Sequence, residues 1–374
     1  MRRTRARVLI AGGGVAGLEA MLALHTLAGD LVELELLAPD PHFWYRPLAV
    51  AEPFGTGRAH RFDLGRIAES VGAAFTLGAL TSVDSERHIT RTSLGAEAPY
   101  DALVIACGAV PRPWLAGALT FRGPADTDAF GRLLAEAEDG GIGSIAFVAP
   151  PAGVWPLPLY ELALQTSAYL TAHDAAVELT LVTPETEPLA LFGNAAGTMV
   201  RKLLDDATIE LHAGSYAARF DGRMLELVPE RRLPVDRVVA LPRLEAARIL
   251  GIPQDDDGFI ATDACGRVDG LPDVFAAGDI TTFPIKQGGV AAQQADAVAE
   301  AIAAWAGASV RPHPFEPVLR GLLLTGGTAF YLRNEPTGGR GDTSVAATDA
   351  LWSPPAKILG RYLAPALAEY GHGP

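Results

Sequence analysis

The chain has 374 residues and a net charge of −14, which argues against nucleic-acid binding because neutralising phosphates requires a basic face. Hydrophobic residues make up 49% and charged residues 20%, a globular balance with length enough for two or three domains. No apolar run approaches the ~20 residues that cross a bilayer, and the two cysteines, Cys107 and Cys265, are too few for a disulfide framework or a zinc cluster. The basic stretch Met1–Arg7 runs straight into a strand with no separate apolar segment, so a cytoplasmic protein is expected.

Val8 to Glu19 reads as a buried strand, a turn and a helix start, with Gly12, Gly14 and Gly17 in GxGxxG spacing. The first glycine makes the turn, the second admits a pyrophosphate to the backbone, and the third lets helix pack on strand. A dinucleotide diphosphate is therefore expected at the helix N-terminus, beside Val15 and Ala16. Val32 to Leu37 reads as the second strand, ended by Pro39-Asp40-Pro41. Ala38 holds the place where such folds carry a ribose-binding acid; Asp40 reads either as that acid displaced by two residues or as a turn former. Glu33 and Glu35 read as solvated. An aromatic segment, His42 to Tyr45, then runs into Arg46-Pro47, and Tyr100 to Ile105 forms a strand leading into Ala106-Cys107-Gly108.

A second βαβ unit starts after Phe121 to Asp126, with strand Ser144–Val148, helix Leu157–Tyr169 and strand Val177–Val182. Its turn has one glycine, Gly153, where three are wanted, and its prolines lack the N–H groups a diphosphate uses. Thr183 stands where the ribose acid would. Asp273 to Ala277 reads as a buried strand ending in Gly278-Asp279, which places a carboxylate to accept hydrogen bonds from a sugar-alcohol chain; Gly288-Gly289 then opens a helix. In the tail, Val318–Thr325 and Phe330–Leu332 read as a strand pair and Pro336–Thr343 as a glycine-rich loop. Trp352–Leu363 reads as a short helix with Ile358, Leu359, Tyr362 and Leu363 on one face, flanked by Lys357 and Arg361.

The two glycine motifs, in this order, resemble those of the pyridine nucleotide-disulfide oxidoreductase superfamily of two-dinucleotide-binding-domain flavoproteins. The resemblance implies FAD as cofactor and an α/β fold: two Rossmann-like three-layer domains, the second inserted in the first, plus a small C-terminal cap. It divides the chain into an FAD-binding domain (1–120 and 256–310), an NAD(P)-binding-like domain with a degenerate phosphate loop (121–255), and a cap (311–374) that docks on a membrane, on the FAD domain or on a second subunit. It implies FAD contacts at Gly12, Gly14, Val15, Ala16, Gly17, Asp40, Arg46, Pro47, Leu80, Ala106, Cys107, Gly108, Gly278, Asp279, Gly289, Val290 and Ala291, and no metal.

Pro150 to Gly153 with Leu159 to Leu164, then Val182 to Glu185 and Pro188 to Gly193, resembles the sulfide:quinone oxidoreductase branch, which shares its fold with type II NADH:quinone oxidoreductases. That branch uses a cysteine pair at the flavin. Here one of those positions falls near Val154-Trp155, the C-terminal segment has no cysteine, and Cys107 reads as a packing residue in a threonine's place. Gln293 and Gln294 keep part of a glutamine motif found beside flavin and quinone.

The reaction implied is electron transfer from a small-molecule donor through FAD to a quinone-like or protein acceptor. The alternatives are an NAD(P)H:acceptor oxidoreductase and a flavin-binding subunit without turnover. Glu161 is the candidate catalytic carboxylate, placed near flavin N5 by the resemblance; the competing reading is a salt-bridged structural glutamate. Lys286 reads as a positive charge at the flavin or as a solvated lysine. The N–H groups of Val290 and Ala291 are candidates to stabilise negative charge on the ring. Trp155 and Tyr160 read as covers of the flavin face or as core. Peripheral membrane contact on the inner face and a homodimer stay open.

Overall fold

A computed structural model describes residues 5–151, 155–336 and 343–370. The expectations for Gly153 and Val154, and for most of the Pro336–Thr343 loop, lie outside the described residues. The fold is α/β, built on two parallel sheets.

The first sheet has the strand order Val274–Ala276, Ala102–Ile105, Ala6–Ala11, Val32–Ala38, Ala74–Leu77, all parallel. Continuous apolar runs such as Ala102-Leu-Val-Ile105, fully buried here, suit a sheet covered on both faces. On one face the helices Val15–Ala28 and Gly288–Ala306 pack against each other through buried alanines, among them Ala20, Ala23, Ala295 and Ala299. Small side chains let these two backbones, from opposite ends of the sequence, approach closely.

The second sheet repeats the plan with Leu119–Thr120, Arg237–Ala240, Ser144–Val148, Glu178–Val182 and Ile209–His212. The helix Leu157–Ala172 is buried on most of its sides and forms the centre of this unit's core with Phe147, Phe192 and Leu323. In each sheet the strand order reverses beside the first strand of its βαβ unit, and ligands of open α/β sheets sit beyond the carboxyl ends of the strands at that reversal.

The tail forms a three-stranded antiparallel sheet, Leu319–Leu323, Phe330–Asn334 and Val345–Ala347, so the expected strand pair gains a third member. The helix expected over 352–363 is not formed there; it runs from Leu363 to Glu369. Pro354, Pro355 and Gly360 account for the difference, since prolines remove N–H donors and glycine loses the most backbone freedom. Ile358, Leu363 and Leu367 pack into the same core as Met21 and Leu24, so the apolar face of the tail is spent on the first unit. No helix among the described residues is long and apolar enough to cross a membrane.

Candidate functional site

A cavity of about 620 Å³ opens at the reversal point of the first sheet. Gly12 forms its floor at φ +130°, where a Cβ would overlap the Ala106 carbonyl; only glycine lets the first and fourth strands meet this way. Gly17 lies behind the wall rather than on it, because a Cβ there would overlap the Gly12 carbonyl. At Gly14 a Cβ would meet nothing within 4 Å, as expected of backbone that faces open space. No side chain caps the helix at Gly14, which leaves the N–H groups of Val15 and Ala16 free to meet an anion.

Of the seventeen residues implied for the cofactor, Gly12, Gly14, Val15, Ala16, Asp40, Arg46, Pro47, Leu80, Ala106, Cys107, Gly108, Gly278, Asp279 and Ala291 line this cavity; Gly17, Gly289 and Val290 do not. Asp40 accepts from His42 N at 2.8 Å through one carboxylate oxygen, so the turn-forming role is built in while the other oxygen has no bond among the described residues. The Cys107 thiol donates to the Ala11 carbonyl at 3.3 Å, and desolvation of the sulfur raises its pKa although the residue itself is exposed. Cys265 sits in the Asp263–Arg267 turn, and both cysteines are free.

At the other end of the cavity Gly278, at φ +81°, turns the chain so that Asp279 faces the cavity. Among the described residues the Asp279 carboxylate makes no hydrogen bond, and burial raises its pKa against the opposing pull of Lys286. A half-buried carboxylate without a donor among the described residues fits a ligand that brings hydroxyl groups. Lys286 itself does not line the cavity. It is buried over the Phe259 ring, 4.0 Å to the centroid, and its amine donates to the Thr281 carbonyl. Burial lowers its pKa to about 8 despite Asp279 and Asp255, so it is not the solvated lysine of the second reading.

The backbone donors expected at the flavin need correction. Val290 N donates to the Gln287 side chain at 2.8 Å and Ala291 N to the Gln287 carbonyl at 2.9 Å, so both are used inside the helix cap. The first two N–H groups of the helix, those of Gly288 and Gly289, have no partner among the described residues, and Gly288 lines the cavity. A Cβ at Gly288 would lie 2.5 Å from Ile358, because the tail closes over this end. Ile358 is a cavity residue that the sequence placed only on an apolar face.

Glu161 is 1% exposed and does not line the cavity. Its Oε1 accepts from Lys357 Nζ at 2.5 Å and Leu324 N at 2.9 Å, the ion-paired arrangement of the two foreseen for it. Burial raises its pKa; Lys357 and the Leu324 N–H act the other way. A second buried acid, Glu19, was unrecognised in the sequence. It accepts from Tyr362 N at 2.8 Å and Leu363 N at 2.7 Å, and so holds the segment that carries Ile358. Asp296 lies beside it with its Oδ1 unpartnered among the described residues, and burial followed by the Glu19 charge pushes its carboxyl up to about 8. The sequence signal was available: a glutamate and an aspartate on two otherwise apolar helices.

The crevice of the second sheet is closed by its own side chains. Glu185, just past the strand Glu178–Val182, accepts from Tyr160 Oη at 2.8 Å and Thr183 Oγ1 at 3.2 Å on one oxygen and from Ala190 N at 3.1 Å on the other. Tyr160 is fully buried in the first turns of the helix Leu157–Ala172, and Trp155 is packed edge-on against Phe192, 5.4 Å between centroids. Tyr160 is core, and Trp155, partly buried, packs against that core.

A family model described as pyridine nucleotide-disulphide oxidoreductase matches residues 161–299, which takes in the Gly278-Asp279 strand and the glycine-led helix after it. That match and the likenesses below support the FAD-dependent pyridine nucleotide-disulfide oxidoreductase superfamily for this chain. This flavoprotein is an FAD-dependent oxidoreductase that transfers electrons. It is 27% identical over 305 residues, 75% of this chain and 69% of the relative, to the ferredoxin–NAD(+) reductase component of a biphenyl dioxygenase system from Paraburkholderia xenovorans. It is 28% identical over 293 residues, 73% and 72% of the two chains, to an NADH dehydrogenase-like protein of Mycobacterium tuberculosis. Among solved structures, the sulfide:quinone oxidoreductase of Aquifex aeolicus superposes with a TM-score of 0.83 at 18% identity, covering 92% of this chain and 87% of the other. Putidaredoxin reductase in its complex with putidaredoxin gives 0.65 at 19% identity, covering 90% and 83%. These likenesses are of fold.

Proposed function

We propose that this flavoprotein takes electrons from a small donor other than a nicotinamide dinucleotide and passes them to a quinone-like or protein acceptor. The observation that carries the donor half is the Tyr160–Glu185–Thr183 cluster. The acid nearest the place for ribose recognition has both oxygens engaged inside the protein, and a buried tyrosine fills the space beside it. A dinucleotide would have to break three hydrogen bonds to take that carboxylate, each contributing roughly 1 kcal/mol. Cys107 and Cys265 offer no disulfide chemistry at the flavin, so sulfide oxidation through a cysteine pair is not part of the proposal.

Bound FAD supplies the chemistry, accepting electrons in pairs and passing them on singly or in pairs. The chain's part is to hold and screen it. Free amides of Val15 and Ala16 would meet the diphosphate, Asp279 would accept from the sugar-alcohol chain, and the Gly288 amide would serve the ring end. Glu161 acts by position: through Lys357 it fixes the backbone of Ile358, which excludes water from that end.

A second reading has a specific support of its own. The named relatives are an NAD(+)-linked reductase and an NADH dehydrogenase-like protein, which favours NAD(P)H as donor. Anaerobic mixing of the holoprotein with NADH, NADPH and sulfide in turn, followed by flavin bleaching, separates the two. Slow or no bleaching by both nucleotides is expected; rapid bleaching at micromolar NADH would establish the second reading instead.

A further inference from the structure

The antiparallel sheet of the tail turns one face inward and leaves the other half-buried. Leu319 and Leu323 are buried, and a Cβ on Gly321 would lie 2.6 Å from the Phe192 ring, so these three residues face the core. Arg320 and Leu322 therefore point the other way. The register sets Arg320 directly opposite Arg333, and Leu322 directly opposite Tyr331.

Like charges directly across an antiparallel pair oppose folding, and here only one of them is neutralised. Glu335 takes up Arg333, while the Arg320 guanidinium makes no hydrogen bond or ion pair among the described residues. Burial and the neighbouring Arg333 charge lower the Arg320 pKa, against the opposing pull of Glu335. It stands on a chain whose net charge is −14. Around the guanidiniums the face is apolar and aromatic: Tyr331 meets Trp352 edge-on at 5.0 Å, and Val345 is 39% exposed.

Two routes tie this face to the flavin cavity. The Arg320 carbonyl accepts from Gln287 Nε2 at 3.1 Å, and Gln287 caps the helix whose first residue, Gly288, lines the cavity. Trp352 Nε1 donates to the Ala356 carbonyl at 2.9 Å, and Ile358, two residues on, lines the cavity from the other side.

We propose that the face formed by Arg320, Leu322, Tyr331 and Arg333 docks an acidic protein that accepts electrons from the flavin; this rests on the electron-transfer reading above. A guanidinium without a counter-ion among the described residues, set beside the Arg333–Glu335 pair and ringed by aromatic and aliphatic groups, matches a carboxylate-bearing protein surface, since arginine binds carboxylates through a planar fork and aromatic residues dominate interface cores. An anionic bilayer is the poorer match: it presents a broad negative surface to a chain of net charge −14, whereas a small partner need appose only this face.

The test titrates FAD-loaded protein with an acidic [2Fe–2S] ferredoxin by calorimetry at low and raised salt. Saturable binding that weakens steadily with salt is expected. Arg320→Gln and Arg333→Gln should each weaken it several-fold and the double variant roughly tenfold, with FAD absorbance unchanged. Arg320→Lys should keep most of the affinity, and Arg91→Gln, on a distant exposed pair, should keep all of it. Equal affinity of the double variant and the parent, or no ferredoxin binding by the parent, overturns the proposal. So does loss of binding to phosphatidylglycerol vesicles with ferredoxin binding intact, which would put a bilayer on this face. Reoxidation of dithionite-reduced protein by a neutral quinone separates the two failures: it continues if only the docking face is wrong and is absent if the electron-transfer reading is wrong.

Discussion

The two parallel sheets share one strand plan and differ at the same point of it. In the first, the turn after the central strand is made of glycines, and the helix that follows has no side-chain cap, so its amides open on a cavity. In the second, the helix begins with prolines, its first turns bury Tyr160, and the nearby carboxylate of Glu185 is fully engaged. A Rossmann-like topology therefore supplies a place for a nucleotide, while the side chains at the reversal point decide whether that place stays open.

The sharpest way to break this comparison is at Gly12. Gly12→Val drives a side chain into the Ala106 carbonyl from a left-handed backbone, and the fold should lose on the order of 4 kcal/mol or more, read as failure to accumulate soluble protein. Gly14→Val is the contrast: its Cβ has open space, so the melting temperature without cofactor should hold while FAD is lost. Full FAD occupancy of that variant would misplace the diphosphate. Next in size is Glu161→Gln, which leaves the Lys357 charge buried without its partner and should cost about 3 kcal/mol. Unchanged stability with slowed flavin reduction would return Glu161 to a catalytic role.

A smaller effect probes the closed crevice. Tyr160→Phe removes one donor to Glu185 and keeps the ring, so about 1 kcal/mol should be lost by chemical denaturation and NADH should still fail to bind. Tight NADH binding by the parent would erase the distinction between the sheets. The mildest is a slope. The Asp296 carboxyl is raised by burial and by Glu19, with Glu300 adding to the shift and Arg361 opposing it. Between its ordinary value of 3.8 and about 8 the folded protein holds a proton that the unfolded chain has released. Stability is therefore fullest below that window and falls as pH rises through it. Asp296→Asn should flatten the fall; identical melting profiles would show that the pair does not titrate there.

Much of this was legible in the sequence because glycine spacing and apolar runs are local signals. Gly12, Gly14 and Gly17 announced the turn, Gly278-Asp279 announced the second contact, and the continuous Leu-Val-Ile run announced a covered strand. What stayed hidden depended on contacts between residues far apart in the chain. Lys357 as the partner of Glu161 and Ile358 over Gly288 carry no signature in their own neighbourhoods. The amide donors were misassigned by two residues because a Gln287 side-chain cap, not foreseen, takes Val290 N and shifts the free N–H groups to Gly288 and Gly289.

The Glu19 anchor also sets an order of events. A chain made from its N-terminus displays the glycine turn and the first helix at once, yet the bond from Leu363 N to Glu19 spans 344 positions and Lys357 reaches Glu161 across 196. Until Lys357 to Leu363 have been made, Glu161 and Glu19 lack these partners and the wall around Ile358 is missing. A nascent chain can form the glycine turn early, but it can enclose the ring end of the cavity only when the segment from Lys357 to Leu363 has packed back on the first helix.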